Sequence, residues 1–567
     1  MNLVQFTKKQ QVVFFFILFM AVLIRLLNLG RAPLSDAEAA LSLQVLPAHA
    51  GSSITWAGEP LYLLLTGILF RLFDQTNFIA RTIPALFGLG LVFLPLLFQK
   101  QIGRLAAIVL AGFLTFDPAM ISLSRTAGSA AIALFLVGLS FWLFINKRTI
   151  AMGIICGLFL ISGTGLWAVL TPLLLAGGLY WLFAIRITKS QGTASNLDFS
   201  IYKQRTFWLT VVFSVILTGT LFFIYPQALS ATPSSLVDYL QVWSRAGGLP
   251  AKLIWLGVVI YFPAGIIFGI WGGIRGVIGH SRLAVFLSWW VLAGLMLILI
   301  NPGRQVLDVA WISIPLLTLA SIELARHFKS PLEELLPSAG TAILVITMIS
   351  FFYLSVARLV YSADQKQLLL AVTGGAAILI ICAFLIIMGW SQSIAGRGFL
   401  WGLMALLFVY SFSTAWRVSG ISAEGQVELI RPQASHPQLA LINQTVQEVS
   451  RWNRGGSNQI NVTVAGFDSD ALEWSLKNFN PEFSISIDRS QMHELVLTEP
   501  DYPVSLGDRF RGQDFIFEQT VNWQDFSGLD WIAWIVHRKV ITTNNSIILW
   551  ARADLFPGGS SELPLQP

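Results

Sequence analysis

Long apolar segments, separated by short polar connections, dominate the chain as far as Trp416. The first runs from about Val12 to Leu29, behind Lys8 and Lys9. It is long enough to cross a bilayer as a helix, whereas the core of a cleavable signal peptide has about 7–15 residues. We therefore expect a retained transmembrane helix with its N-terminus in the cytoplasm.

The same pattern predicts twelve further spans, near 82–99, 105–117, 128–145, 150–161, 165–185, 207–225, 252–273, 283–300, 308–325, 339–357, 367–390 and 398–416. Pro60 to Phe73 is apolar but short, which favours an interfacial or re-entrant helix within a first outer loop at 30–81. A true second span is the alternative. The segments near 105–117 and 150–161 are also short, so we expect them to be extended, tilted or enclosed by the bundle.

Basic residues decide between these topologies. If the short helix does not cross, Lys100, Arg104, Lys147 and Arg148 fall in cytoplasmic connections, and the outer connections carry fewer basic residues. Cytoplasmic loops of membrane proteins are enriched in Lys and Arg. The sequence therefore predicts about 13 transmembrane helices, with everything after the last span outside the cytoplasm.

Composition agrees with a multi-pass membrane protein. The chain is 55% hydrophobic and 12% charged, whereas charged residues make up about a quarter of a soluble domain. The net charge of +6 is explained by membrane orientation, so no nucleic-acid partner is expected. Cys156 and Cys382 lie in apolar runs, which indicates neither a disulfide framework nor a metal cluster.

Residues 420–567 differ in composition, because they lack a long apolar run and are richer in polar residues. We predict an extracytoplasmic α/β domain here, after a transmembrane domain at 1–419. Its helices are expected near 436–451 and 469–477, and its strands near 459–464, 494–498, 514–520 and 546–552. Asp468 and Asp470 could suggest a metal site, but Asp468 or Ser469 is better explained as a helix cap.

The best chemical signal is RAPLSDAEAALSLQ at 31–44, just after the first span. Ser35 and Glu38 have the spacing of a capping box, and Asp36 suits the first turn of a helix. Asp36 and Glu38 also lie where carboxylates can reach the headgroup of a lipid-linked substrate. One could deprotonate an acceptor hydroxyl, and the pair could hold a divalent ion such as Mg²⁺ or Mn²⁺. Both interpretations stay open.

The stretch PLSDAEA resembles the Asp-Glu motif of the GT-C glycosyltransferases, especially the protein mannosyltransferase and aminoarabinose transferase group. The resemblance continues through GEPLYLLLTGILFRLF and GRLAAIVLAGFLTFDPAMISLSR, over about the first 180 residues. The tail segments DSDALEWSLKNF and FRGQDFIF are similar to a branch associated with flippase activity. The resemblance implies a polyprenyl-phosphate sugar donor, an active site facing outside, and Asp36 as the base.

Some positions differ from the family pattern. Ala37 separates the two acids, and Glu59 stands where transferases often carry a lysine before a proline. Asp117 is the acid nearest to Arg125, in place of one that the family has after this arginine. By these positions, Glu59 and Asp117 are candidate substrate-binding residues. Arg125 and Arg304 are candidate ligands of the donor phosphate, because a guanidinium suits bidentate phosphate contacts. The alternatives for both are an interfacial anchor and a partner of backbone carbonyls.

The sequence therefore favours a membrane glycosyltransferase that moves a sugar from a polyprenyl-phosphate donor to a lipid, glycan or protein acceptor. Its partners would be this donor and membrane lipids. The alternative is a non-catalytic accessory protein that handles or flips polyprenyl-linked glycans. A transporter is disfavoured, because the sequence shows neither internal repeats nor ionisable residues at mid-membrane depth.

Overall fold

The computed structural model describes residues 7–46, 58–188, 202, 204–223, 229–244, 247–327, 335–359, 365–389, 392–421, 427–431, 435–487, 494–502, 510–538 and 540–556. Part of the predicted first loop, at 47–57, and the last residues of the spans predicted near 207–225 and 367–390 lie outside this description.

Helices make up most of the described chain. The first half contains α1 (Lys8–Leu26), α2 (Asp36–Leu43), α3 (Pro60–Leu72), α4 (Asn77–Leu97), α5 (Gln99–Ile102), α6 (Arg104–Phe116), α7 (Pro118–Ser124), α8 (Ala130–Ile145), α9 (Thr149–Leu160), α10 (Thr164–Thr188), α11 (Arg205–Gly219) and α12 (Ala231–Ser244). The second half contains α13 (Ala251–Tyr261), α14 (Ile270–Ile278), α15 (Arg282–Ile300), α16 (Ala310–His327), α17 (Leu335–Leu359), α18 (Gln365–Gly389), α19 (Gln392–Val418), α20 (Leu439–Arg454), α21 (Asp470–Leu476) and α22 (Gly528–His537).

Seven of the described helices are long and apolar enough to cross a membrane, or up to nine spans if each of two bent pairs counts as one. The prediction of a multi-pass membrane protein is confirmed. An apolar helix lies at each predicted span, but several are short, such as α9 with 12 residues, so the count of 13 is not confirmed. The predicted short helix is α3, with 13 residues.

Two predicted spans are bent rather than straight. The axis turns by 63° between α6 and α7, and by 90° between α13 and α14. Pro118 begins α7, and Asp117 Oδ1 accepts hydrogen bonds from the N–H groups of Ala119 (2.8 Å) and Met120 (3.1 Å). Pro263 lies in the second break, just before a π-helical turn at Gly265–Gly269. Proline removes a helical N–H donor, which explains why each helix is interrupted there.

The tail contains a five-stranded mixed sheet, so the prediction of an α/β region is confirmed. Its strands are β1 (Val462–Ala465), β2 (Glu482–Ser484), β3 (Leu495–Thr498), β4 (Phe510–Thr520) and β5 (Thr543–Arg552), in the spatial order β2-β1-β3-β5-β4. The pairs β1/β2 and β1/β3 are parallel, whereas β3/β5 and β4/β5 are antiparallel. All four predicted strands are present, and β2 and α22 are additional.

The tail shares its core with the bundle. Leu34, Ala39 and Leu43 of the first loop are buried in the same apolar cluster as the sheet and α20. At a second contact, Trp534 of α22 is fully buried against the main cluster of the bundle. Because these contacts exclude water from both partners, the first loop is held between bundle and sheet. The exact boundary at 419/420 stays a prediction.

Candidate functional site at the first loop

The predicted capping box is present at the start of α2. The Ser35 hydroxyl accepts a hydrogen bond from the Glu38 N–H at 3.4 Å, and the Glu38 carboxylate accepts one from the Ser35 N–H at 3.0 Å. Two backbone donors that a helix start leaves without partners are thereby satisfied. Asp36 and Glu38 both lie in this first turn, but their carboxylates have different partners.

Glu38 is the centre of a buried ion pair. Arg81 donates to both of its carboxylate oxygens, from Nε at 2.8 Å and from Nη2 at 2.7 Å, and the Ala127 N–H donates at 2.8 Å. Burial alone would raise the pKa of Glu38, but the Arg81 charge and these donors hold it below its usual value. Glu38 is therefore a carboxylate with both oxygens engaged by the protein.

Arg81 also fixes the turn between α1 and α2. Its Nη1 donates to the carbonyls of Leu29 (3.2 Å) and Ala32 (2.8 Å), and its Nη2 donates to that of Pro33 (2.8 Å). One buried guanidinium thus ties the first loop to α4. The position of Asp36 depends on this turn, because Asp36 follows it directly.

Asp36 joins the first loop to the tail. Its Oδ1 accepts hydrogen bonds from the Ser469 hydroxyl at 2.6 Å and from the Ala471 N–H at 3.0 Å, at the start of α21. Its Oδ2 lies 3.3 Å from His436 Nε2, and half of the Asp36 side chain remains exposed. The neighbouring His436 imidazole, followed by the donors of α21, holds the pKa of Asp36 well below its usual range despite partial burial. Asp36 is thus an ionised cap of α21 supplied by another part of the chain.

The surroundings of His436 favour its doubly protonated form. His436 Nδ1 lies 3.1 Å from the Phe517 carbonyl oxygen, and Nε2 faces the Asp36 carboxylate. Both neighbours can only accept hydrogen bonds, so each ring nitrogen is best satisfied when it carries a proton. Burial alone would lower the pKa of His436, but Asp36 reverses this effect and the net shift is upward. The imidazolium and Asp36 therefore form an ion pair between tail and loop.

This ion pair predicts a loss of stability at alkaline pH. A raised pKa in the folded state means that the His436 contribution is complete below about pH 6.5 and is lost as the pH rises through the folded-state pKa. We expect about 1 kcal/mol or less, because Asp36 is half exposed. Thermal unfolding of the detergent-solubilised protein should show a melting temperature that falls between about pH 6 and pH 9. His436→Gln should reduce the slope of melting temperature against pH. An unchanged slope in His436→Gln would contradict the assignment.

A short segment at 125–129 brings together three of the predicted site residues. Arg125 begins it, the Ala127 N–H binds Glu38, and the Ser129 N–H donates to Glu59 at 2.9 Å. Glu59 also accepts from the Thr164 hydroxyl at 2.9 Å, and burial raises its pKa. Asp117 lies at the other end of α7, where it caps that helix. Glu59 and Asp117 therefore have structural contacts, and their substrate-binding roles stay predictions.

Arg125, at the end of α7, closes the end of α1, and Arg25 on α1 closes the end of α6, the other half of the same bent pair. Arg125 donates from Nη1 to the carbonyls of Ile24, Arg25 and Leu27, and from Nη2 to that of Asn28, at 2.9–3.2 Å. In return, Arg25 on α1 donates to the carbonyls of Leu114 (2.8 Å) and Thr115 (3.4 Å) at the end of α6. These carbonyls are among those that a helix end leaves without intrahelical partners. We call this arrangement the reciprocal arginine caps.

Arg304 has a similar role elsewhere. It donates to the carbonyls of Leu249 (2.8 Å), Leu299 (2.9 Å) and Asn301 (3.3 Å), near the end of α15. For Arg125 and Arg304, the structure thus shows the carbonyl contacts that the sequence left as an alternative. Phosphate binding by either residue stays a prediction, and it would require exchange of these contacts.

The metal prediction finds no additional support. Within the residues that the structure describes, no group of three or more His, Cys, Asp or Glu side chains is placed to hold a metal ion. Asp468 and Asp470 lie beside Ser469, whose hydroxyl accepts from the Leu472 N–H and caps α21. The capping interpretation of this tail segment is confirmed, and a divalent ion at Asp36 and Glu38 stays a prediction.

Sequence reasoning missed the partners that give the site its geometry. Arg81, His436 and Ser469 contact the two acids across 43 to 433 positions of the chain. Arg431 was also missed, and its guanidinium donates to the Ser122 hydroxyl at 2.7 Å. A buried guanidinium beside α2 was foreseeable, because an acid in a capping box next to an apolar bundle needs a counter-charge. Nothing in the sequence indicated His436.

Comparison with solved structures assigns the fold. The structure is similar to the crystal structure of ArnT from Cupriavidus metallidurans bound to undecaprenyl phosphate, with a TM-score of 0.55 and 12% sequence identity. The match covers 97% of this chain and 99% of the ArnT chain. The apo form of that ArnT matches over 95% and 98% of the two chains, with a TM-score of 0.55 and 13% identity.

This chain has the GT-C fold. At this level of identity the GT-C match establishes architecture alone. An Archaeoglobus fulgidus oligosaccharyltransferase tethered to an acceptor peptide is also similar, with a TM-score of 0.45 and 13% identity over 84% of this chain and 63% of that chain. A scan against protein-family models gives no match, and neither does a search of curated proteins.

Proposed function

We propose that the protein is a glycosyltransferase that takes its sugar from a polyprenyl-phosphate-linked donor at the extracytoplasmic face of the membrane. The supporting observation is the extent of the fold match, which covers bundle and tail together and includes an ArnT crystal structure bound to undecaprenyl phosphate. A multi-pass bundle provides an apolar environment for such a lipid chain. The acceptor would be a lipid, a glycan or a protein.

Asp36 is the proposed base. It follows the first membrane helix, half of its side chain is exposed, and its Oδ2 has only His436 as a close polar partner among the described residues. A carboxylate in this position can accept the proton of an acceptor hydroxyl. Glu38 supports this role by fixing α2 through Arg81 rather than by touching substrate.

A basic group near the first loop provides a place for the donor phosphate. Burial and the neighbouring guanidinium groups of Arg431, Arg81 and Arg25 lower the pKa of Arg125 to about 9. Glu38 offsets the charge of Arg81, which leaves an excess of positive charge at Arg125 and Arg431. An anion beside them would relieve this repulsion. We therefore add partly buried Arg431 to Arg125 as a proposed phosphate contact.

A second candidate function is a non-catalytic protein that binds or flips polyprenyl-linked glycans on the same fold. The observation that favours it is the engagement of Asp36 by α21 and His436, together with its lowered pKa. A low pKa weakens a general base. In this case Asp36 would serve only to dock the tail on the first loop.

Reconstitution separates these functions. The purified protein in liposomes would be given a series of polyprenyl-phosphate sugars, with and without a chelator, and products would be identified by mass spectrometry. A transferase forms a glycosylated acceptor, and dependence on a divalent ion would appear as inhibition by the chelator. Donor binding without transfer across the whole series would instead support the accessory function.

The proposed site requires the tail to lie outside the cytoplasm. We expect a reporter fused after Pro567 to be active only in its exported form, because the basic residues predict a cytoplasmic N-terminus followed by about 13 spans, an odd number. Fusions to alkaline phosphatase and to a cytoplasm-dependent fluorescent protein would measure this. Fluorescence from the second fusion without phosphatase activity from the first would exclude an extracytoplasmic active site.

A further inference from the structure

A polar cleft of about 280 Å³ lies between the first loop and the tail. One wall comes from residues 31–34 and the start of α4, and the other comes from α20 and α21. The polar residues that line it include Arg31, Asn77, Asn443, Gln444, Gln447 and Lys477. This cleft could not be predicted from the sequence, because its two walls are about 400 positions apart in the chain.

The charge of the lining is one-sided. Arg31 and Lys477 are cationic, and none of the described residues that line the cleft is Asp or Glu. The other polar residues include four side-chain amides. Asn77 accepts a hydrogen bond from Trp474, and Asn443 donates one to Ser475. Gln444 and Gln447 each donate one within α20, and the amide group of each has further donor and acceptor capacity for a ligand. Such a lining suits a ligand that carries negative charge and many hydroxyl groups.

Lys477 is the residue most suited to bind an anion. Its ammonium donates to the Trp474 carbonyl at 3.3 Å and lies 4.0 Å from the centre of the Trp474 ring. Burial lowers the pKa of Lys477 to about 8, since this ammonium has lost much of its hydration. An anion in the cleft would replace the missing water.

Trp474 does not provide a stacking platform for a neutral sugar. Its indole N–H donates to Asn77 at 2.7 Å, its ring stacks on Phe70, and only 3% of the residue is exposed. Stacking on an aromatic face is therefore a small part of what this cleft offers. Charge and amide hydrogen bonds are what remain for recognition.

The cleft is next to the proposed base. The N-terminus of α21 binds Asp36 through Ala471, and Trp474 and Ser475 on the same helix line the cleft. At a rise of about 1.5 Å per residue, these contacts are roughly 5–6 Å apart along α21. Leu34, two residues before Asp36, also lines the cleft, so the cleft and the proposed base are neighbours at both walls.

We propose that this cleft binds an anionic saccharide, one with a carboxylate or a phosphate on its sugar ring, and presents it as the acceptor. The acceptor role rests on the proposed transferase function, whereas binding does not. In the transfer, an acceptor hydroxyl oxygen bonds to the anomeric carbon of the donor, and its proton passes to Asp36. The bond between that carbon and the phosphate oxygen breaks, and polyprenyl phosphate leaves with the electron pair.

Calorimetric titration of the full-length protein in nanodiscs tests the binding. The probes are an oligogalacturonate, the same oligosaccharide with its carboxyls reduced, a phosphorylated hexose and inorganic phosphate. We expect one of the two acidic sugars to bind at least about 10-fold more tightly than the reduced oligosaccharide, and which one it is identifies the anionic group. Lys477→Gln should weaken that binding by about 10- to 100-fold, the usual contribution of a charged hydrogen bond.

Arg451→Gln is the matched control, because it removes one positive charge from an exposed position of α20 outside the cleft. If Lys477→Gln and Arg451→Gln lost saccharide affinity to the same extent, the assignment of the binding site to this cleft would be wrong. Equal binding of acidic and reduced sugars, or equally tight binding of inorganic phosphate, would overturn the ligand class. Saccharide binding without transfer would refute only the transferase function, whereas transfer that is unaffected by Lys477→Gln would refute only the acceptor role.

Discussion

Asp36→Asn is expected to reduce sugar transfer by about 100- to 10,000-fold, the usual contribution of a general base. The amide keeps the size of the side chain and one acceptor oxygen for Ser469 and Ala471, so the cap of α21 is largely preserved. What it loses is the negatively charged oxygen that would take the proton, together with the ion pair to His436. The measurement is the initial rate of sugar transfer in liposomes at a saturating concentration of donor.

Asp470→Asn is the control for this variant. It removes a carboxylate from the first turn of α21, close to Asp36, without removing the proposed base. We expect its transfer rate to stay near that of the wild type. If Asp36→Asn transfers sugar as fast as Asp470→Asn, Asp36 serves only to dock the tail on the first loop.

Glu38→Gln is expected to destabilise the protein by about 3–5 kcal/mol, because it leaves the Arg81 guanidinium charged and buried without its partner. A capping box by itself accepts Gln at this position. The loss would therefore report the ion pair rather than the helix start. Reversible unfolding in mixed detergent micelles measures the loss of stability. Addition of a chelator to the wild type tests separately whether a metal ion contributes to that stability.

Ser35→Ala is the matched control, since it removes the cap and leaves the ion pair intact. The expected loss is about 0.5–2 kcal/mol, as for other helix caps. If Glu38→Gln is no more destabilising than Ser35→Ala, Arg81 does not depend on Glu38. The support that Glu38 gives to the position of Asp36 would then have to come from the capping box alone.

Local features of this chain could be predicted well. The capping box at Ser35 and the cap at Ser469 depend on residues within three positions of each other, so the sequence contains the whole motif. The tail strands followed from short apolar runs, and the membrane helices from their length. The strand β2 was missed because its three residues are too few for a period to show.

The contacts that define the site could not be predicted, because they join distant parts of the chain. Arg125 was considered as a phosphate ligand from its residue type, whereas its actual partners are carbonyls about 100 positions earlier. The amides of α20 look like an ordinary solvated helix face in the sequence. They become part of one wall of a cleft only because the first loop and the start of α4 lie opposite to them.

The reciprocal arginine caps have a consequence for biosynthesis. At about 5–20 residues per second, roughly 5–20 s pass between synthesis of Arg25 and of Arg125. During this time the carbonyls at the end of α1 lack their eventual donor, and Arg25 lacks the end of α6. We therefore expect α1 to remain near the translocon until α7 has emerged. Site-specific crosslinking of α1 in ribosome-bound chains of increasing length should show its release only after Arg125 has left the ribosome, and earlier release would contradict this order.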